Sequence, residues 1–124
     1  MAATYNNLYL DARKRLREAG VEGAQLEARE LVCCAAGKSR EQFYRDMALY
    51  ASDPVEEKLA ELLERRLAGE PVAYLIGEWE FYGLGLDITP DVLIPRMDTE
   101  VLAERAILLA RAAGEGARVL DLCA

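Results

Sequence analysis

The sequence has no histidine and only three cysteines, Cys33, Cys34 and Cys123, with no CxxC pair among them. Structural zinc sites draw on clustered Cys and His, and a nucleophile-histidine triad needs an imidazole, so neither can be assembled and no metal site is expected. The thiols are read as free, buried side chains. Asparagine occurs only at Asn6 and Asn7, and the four prolines are all separated. No apolar run approaches the roughly 20 residues of a membrane span. The opening MAATYNNLYLDARKR lacks the apolar stretch and cleavage pattern of a signal peptide. A cytoplasmic protein with no membrane partner is expected. Positive charge is also short: 15 Lys and Arg stand against 22 Asp and Glu, a net charge of −7. That balance argues against direct nucleic-acid binding by the whole chain, because affinity for a phosphate backbone depends on clustered basic side chains.

What is present suits a soluble globular chain. Its 124 residues are 52% apolar and 30% charged, which allows at most one complete domain with a buried core. The first part carries helical periodicity. Leu8, Ala12, Leu16 and Ala19 recur at helical spacing before Gly20, predicting a helix from about Asn7 to Ala19. Ala24, Ala28, Leu31 and Ala35 predict a second helix ending at Gly37. Ser39 and Gln42 have capping-box spacing, with Phe43 and Met47 as the apolar face of a short third helix. Asp53 followed by Pro54 reads as a cap and a first helical residue, and Val55, Leu59, Leu62, Leu63 and Leu67 continue one stripe until Gly69 and Pro71. Each stripe is most simply the core of a small bundle.

The pattern changes after Pro71. EWEFYGLGLDIT predicts two short strands around a glycine turn, with Trp79, Phe81 and Tyr82 as hairpin core and Glu78 and Glu80 on a solvated face. TPDVLIPRM, bracketed by Pro90 and Pro95, predicts an extended connector or an edge strand. Either Asp98 or Thr99 caps a helix through Val101, Leu102, Ala106, Leu109 and Ala113, broken at Gly114 and Gly116. Val119, Leu120 and Leu122 in RVLDLCA read as a buried parallel strand. A lone buried strand cannot satisfy its own backbone, so this segment is expected to begin a domain whose remainder lies beyond the chain.

Two segments are more specific. GEPVAYLIG over 69–77, followed by Glu80-Phe81-Tyr82-Gly83-Leu84, resembles the linker of HemK (PrmC)-type protein-glutamine N5-methyltransferases. Val92-Leu93-Ile94-Pro95-Arg96 followed by Asp98-Thr99-Glu100 resembles that family's IPRP(D/E)TE motif, with Met97 in place of the usual proline. LEARELV resembles a stretch of the family's second helix, and RVLDLCA resembles the strand leading into its glycine-rich cofactor loop, so the resemblance extends over essentially the whole chain.

The resemblance implies a mainly α chain in three parts. A small N-terminal helical bundle (1–70) would dock the substrate, a β-hairpin linker would span 71–95, and residues 96–124 would begin a truncated α/β Rossmann-like methyltransferase domain. It implies a parent enzyme that uses S-adenosylmethionine to methylate the glutamine amide of the Gly-Gly-Gln motif in class-1 peptide-chain release factors. An amide nitrogen is a poor nucleophile, and in the family an Asn-Pro-Pro-Tyr motif orients it, so catalysis rests on positioning and electrostatics. This chain has no such motif, and no catalytic residue is assigned to it; alone it is expected to be inactive. By the same resemblance, Asp121 matches the acidic position of the cofactor motif, and Arg96, Thr99 and Glu100 stand where the connector enters the catalytic domain, lining the pocket or capping and salt-bridging the helix start. Two other readings stay open: a freestanding helical interaction module, and a methyltransferase acting on a small molecule or nucleic acid, since fold does not fix substrate.

Overall fold

The computed structural model describes residues 2–122. The chain is mainly helical, with one two-stranded antiparallel sheet, and divides into a compact unit up to Gly77 and a second from Glu78 onward. The first unit holds α1 (Tyr5–Glu18), α2 (Ala24–Ala36), α3 (Arg40–Arg45), α4 (Asp53–Leu67) and α5 (Val72–Ile76). The second holds β1 (Glu78–Phe81), β2 (Leu84–Asp87) and α6 (Met97–Ala113).

Helix α1 starts earlier than its apolar spacing predicts, because Thr4 caps it: the Thr4 hydroxyl accepts the Asn7 N–H at 3.1 Å. Its end is a Schellman turn. The Val21 N–H donates to the Leu16 carbonyl and the Gly20 N–H to Arg17, with Gly20 at φ 82°, where a side chain would be strained. The same pair of bonds closes α2 (Lys38 to Cys33, Gly37 to Cys34) and α4 (Glu70 to Arg65, Gly69 to Arg66). The expected capping box of α3 is formed in both directions, Gln42 N–H to the Ser39 hydroxyl at 3.1 Å and Ser39 N–H to Gln42 Oε1 at 2.9 Å.

Helix α2 packs against the other four helices of its unit in turn. The core is Ala12 and Leu16 of α1, Ala28, Leu31 and Val32 of α2, Phe43 of α3, Leu59, Leu62 and Leu63 of α4, and Val72 and Ala73 of α5. Phe43 meets Tyr9 edge to face, ring centroids 5.7 Å apart, and Tyr44 at 5.5 Å. Ahead of α1 the chain is clipped to the segment before α4: Thr4 and Tyr50 form an antiparallel bridge, and Ala51 N–H donates to the Ala3 carbonyl at 2.8 Å.

Several expectations are corrected. Met47 falls outside α3, which ends at Arg45 with Asp46 as its C-cap. Ser52, not Asp53, is the N-cap of α4, so Asp53 and Pro54 occupy its first turn. Val72–Ile76 is a helix that sequence periodicity did not predict: it is barely more than one turn, too short to show a repeat, and is held by burial of Val72 and Ala73. Residues 88–96 form no edge strand; the Thr89 carbonyl accepts the Val92 N–H in a turn. Neither Asp98 nor Thr99 caps α6, whose N-cap is Arg96; the helix begins at Met97, so both fall inside its first turn. Residues 118–122 are not a strand: Val119, Leu120 and Leu122 are exposed, and among the described residues no second strand lies beside them to take their backbone groups. Cys123 lies outside the described residues.

The hairpin forms as expected. Its register pairs Trp79 with Leu86 and Phe81 with Leu84, leaving Tyr82 and Gly83 as a two-residue loop with φ 50° and 78°. Positive φ at both positions matches a type I′ turn, whose twist suits the flanking strands. Trp79 and Phe81 are half-buried and Glu78 and Glu80 exposed, but Tyr82 is exposed at the tip rather than part of a core.

Candidate functional site

The residues singled out by sequence fall at the start of α6 and after its end. Arg96 is the exposed N-cap, and its carbonyl accepts the Thr99 N–H at 3.0 Å. Thr99 is exposed in the first turn. Asp98 and Glu100 place negative charge there, where the positive end of the helix dipole favours it. Glu100 does more than sit in that field: its Oε1 accepts the Tyr82 N–H at 2.8 Å, tying the first turn of α6 to the hairpin tip. Arg96, Thr99 and Glu100 are thus brought into one helical turn. Asp121 is exposed in the segment after α6, and among the described residues no hydrogen bond joins it to that turn. Within this turn the Glu100 carboxylate is already engaged with the hairpin tip.

Met97 is the first helical residue of α6. Proline is favoured at that position because its missing N–H is one of the unsatisfied donors of the first turn in any case. The helix start therefore accepts methionine and proline alike, which accounts physically for the departure from the motif.

In the helical unit the GEPVAYLIG segment serves to close the bundle. Arg65 grips Glu70 bidentately, Nε to Oε1 at 3.0 Å and Nη2 to Oε2 at 2.8 Å, and holds the Glu70 carboxyl below its ordinary range. Pro71 is the N-cap of α5, and Gly77, at φ 81°, is its C-cap.

Two ionic groupings escaped sequence reasoning. Asp46, the buried C-cap of α3, receives Arg45 Nε at 3.0 Å and Lys38 Nζ at 2.7 Å. Bonds from Arg45, and then from Lys38, hold its carboxyl far below the usual aspartate range, and Lys38 also stands 5.1 Å from the centre of the Tyr5 ring. Arg66 of α4 pairs with Glu27 of α2, 39 residues away, a separation that leaves no local signal. Burial pushes the Cys33 thiol up, and its Sγ lies 3.9 Å from the Ser39 carbonyl, which describes a structural rather than a reactive cysteine. The exposed side chains include Tyr44, Leu49 and Tyr50. Among the described residues no helix is long and apolar enough to cross a membrane.

Comparison with known proteins places this geometry in a family. The chain is 38% identical over 122 residues to the release factor glutamine methyltransferase of Vibrio cholerae, covering 98% of this chain and 42% of that protein. It is 48% identical over 104 residues to the enzyme of that name from Bordetella pertussis (79% and 36%), and 44% identical over 89 residues to that from Haemophilus influenzae (72% and 30%). The chain thus spans less than half the length of these curated relatives. The family model described as the PrmC N-terminal domain matches residues 7–77, which are the helical unit from the first turn of α1 to the C-cap of α5, and the chain belongs to that family.

Proposed function

We propose that this chain is the substrate-docking and linker part of an S-adenosylmethionine-dependent enzyme that methylates the Gly-Gly-Gln glutamine of class-1 peptide-chain release factors in the cytoplasm. The observation that carries the reading is similarity along almost the whole chain to proteins named release factor glutamine methyltransferase. In this reading residues 1–70 dock the release factor, 71–95 link, and 96–124 open an α/β Rossmann-like domain. The apolar side chains exposed on α6 and after it, including Leu102, Leu109 and Leu120, are surface that such a domain would cover. Asp121, with Arg96, Thr99 and Glu100, is what this chain would contribute near the cofactor loop; the loop's glycines and the amide-orienting motif would lie elsewhere in the protein.

Docking by the helical unit would supply binding energy remote from the reacting amide, and that energy can be used to orient a weak nucleophile. Without the motif that orients the amide, the chain alone should transfer no methyl group. The test is a methylation assay with a release factor and labelled S-adenosylmethionine. It compares the 124-residue chain with the protein expressed from the reading frame continued past Ala124. Label on the Gly-Gly-Gln glutamine only with the longer protein supports the reading. A longer protein that methylates a small molecule or nucleic acid instead, or has no transferase activity, overturns it, and turnover by the chain alone overturns its assigned inactivity.

A further inference from the structure

The first turn of α6 could have kept its acidic side chains free in the field of the helix dipole, yet Glu100 reaches back to an amide 18 residues earlier. In a two-residue hairpin loop the ladder bonds are made by the flanking pair, here Phe81 and Leu84, so the N–H of the first loop residue is left without a strand partner. Tyr82 is that residue. It is also the one non-glycine described at positive φ, a conformation that persists only where its surroundings hold it. The Glu100 carboxylate supplies such a hold through a charge-assisted bond at 2.8 Å. Gly85 clears the strand beside the turn: a Cβ there would lie 2.7 Å from Glu78 Oε1, so the glycine lets Glu78 lean across β2.

We propose that Glu100 is a positioning residue that locks the hairpin tip to the first turn of α6, so that hairpin and helix act as one body and present Tyr82 and Leu84 at a fixed place relative to the catalytic domain. The role in the reaction rests on the methyltransferase reading above. The lock itself does not, since both partners lie in the second unit of this chain.

The experiment compares Glu100→Ala, Glu100→Gln and Glu100→Asp in the 124-residue chain and in the protein from the continued reading frame. Amide exchange at Tyr82 is read in both, and steady-state methylation in the second. Glutamine keeps an acceptor at full reach, whereas aspartate is one methylene short. The expected result is exchange at Tyr82 faster by roughly tenfold in the alanine and aspartate variants, substantially restored by glutamine. With it, kcat should fall by about tenfold while KM for S-adenosylmethionine is unchanged, the pattern of lost alignment rather than lost binding. Unchanged exchange at Tyr82 in Glu100→Ala overturns the lock. Faster exchange with unaltered kcat overturns the role in positioning. If the unsubstituted longer protein methylates no release factor, the methyltransferase reading fails, and the role in positioning with it, while the exchange data still decide the lock.

Discussion

Restoring the motif proline by Met97→Pro should stabilise the start of α6, and the structure specifies why. Proline fixes φ near the helical value and removes a donor, so it stabilises only where the chain already has that φ, where the N–H has no intrahelical acceptor, and where the preceding residue is extended. Position 97 is the first helical residue, so its N–H is an orphan by geometry. Arg96 has φ −101° and ψ 154°, in the extended region that a following proline demands. The Met97 side chain is 80% exposed, so its loss removes little buried surface. What remains is the reduced freedom of the unfolded chain, worth about 0.4–1 kcal/mol. That corresponds to roughly two- to fivefold slower amide exchange through the opening of α6. Exchange resolved by residue is the assay of choice because it reads α6 without requiring the two units to unfold together. Faster exchange in α6 of the proline variant, or none of the expected slowing, would refute this account of the helix start and of why methionine is tolerated there.

Phe43→Ala should destabilise the helical unit by about 3–5 kcal/mol, since the ring is almost fully buried between Tyr9 and Tyr44; a shift in the urea midpoint measures it. The Asp46 carboxyl is held below its ordinary value of 3.8, so its contribution to stability is complete above the unfolded value and is lost as pH falls through the lower folded value. Unfolding followed from pH 5 to about pH 2 should therefore show a shallower acid loss in Asp46→Asn, which is less stable at neutral pH, than in the parent. Because burial raises the Cys33 thiol, site-resolved mass spectrometry after brief iodoacetamide treatment should find Cys33 modified more slowly than half-buried Cys34.

The helical unit was largely legible in the sequence because its signals are local. Glycine endings, the Ser39–Gln42 box and the apolar stripes each act within a turn or two, and α2, the start of α3 and the hairpin stand where they predict. Thr4 was missed because its cap lies ahead of the periodic residues, and α5 because a single turn has no period. The ion pairs of Glu27 with Arg66 and of Asp46 with Lys38 depend on helices meeting in space, which spacing does not encode. At the candidate site the partner of Glu100 is a backbone amide, which carries no residue identity and leaves no trace in sequence. The strand expected at 118–122 failed for the opposite reason: its apolar pattern is present, but pairing is a property of two segments.

The clip that joins Ala3 and Thr4 to Tyr50 and Ala51 imposes an order on synthesis. Helix α1 is made early, yet the residues ahead of it cannot be fastened until the segment before α4 has also left the ribosome. At about 5–20 residues per second that interval lasts roughly two to ten seconds. Through that time Leu16 and Ala12 have only part of their eventual neighbours, because α4 has not yet been made. A nascent chain that has emerged just short of Tyr50 would carry α1, α2 and α3 with neither the clip nor α4 to seal them.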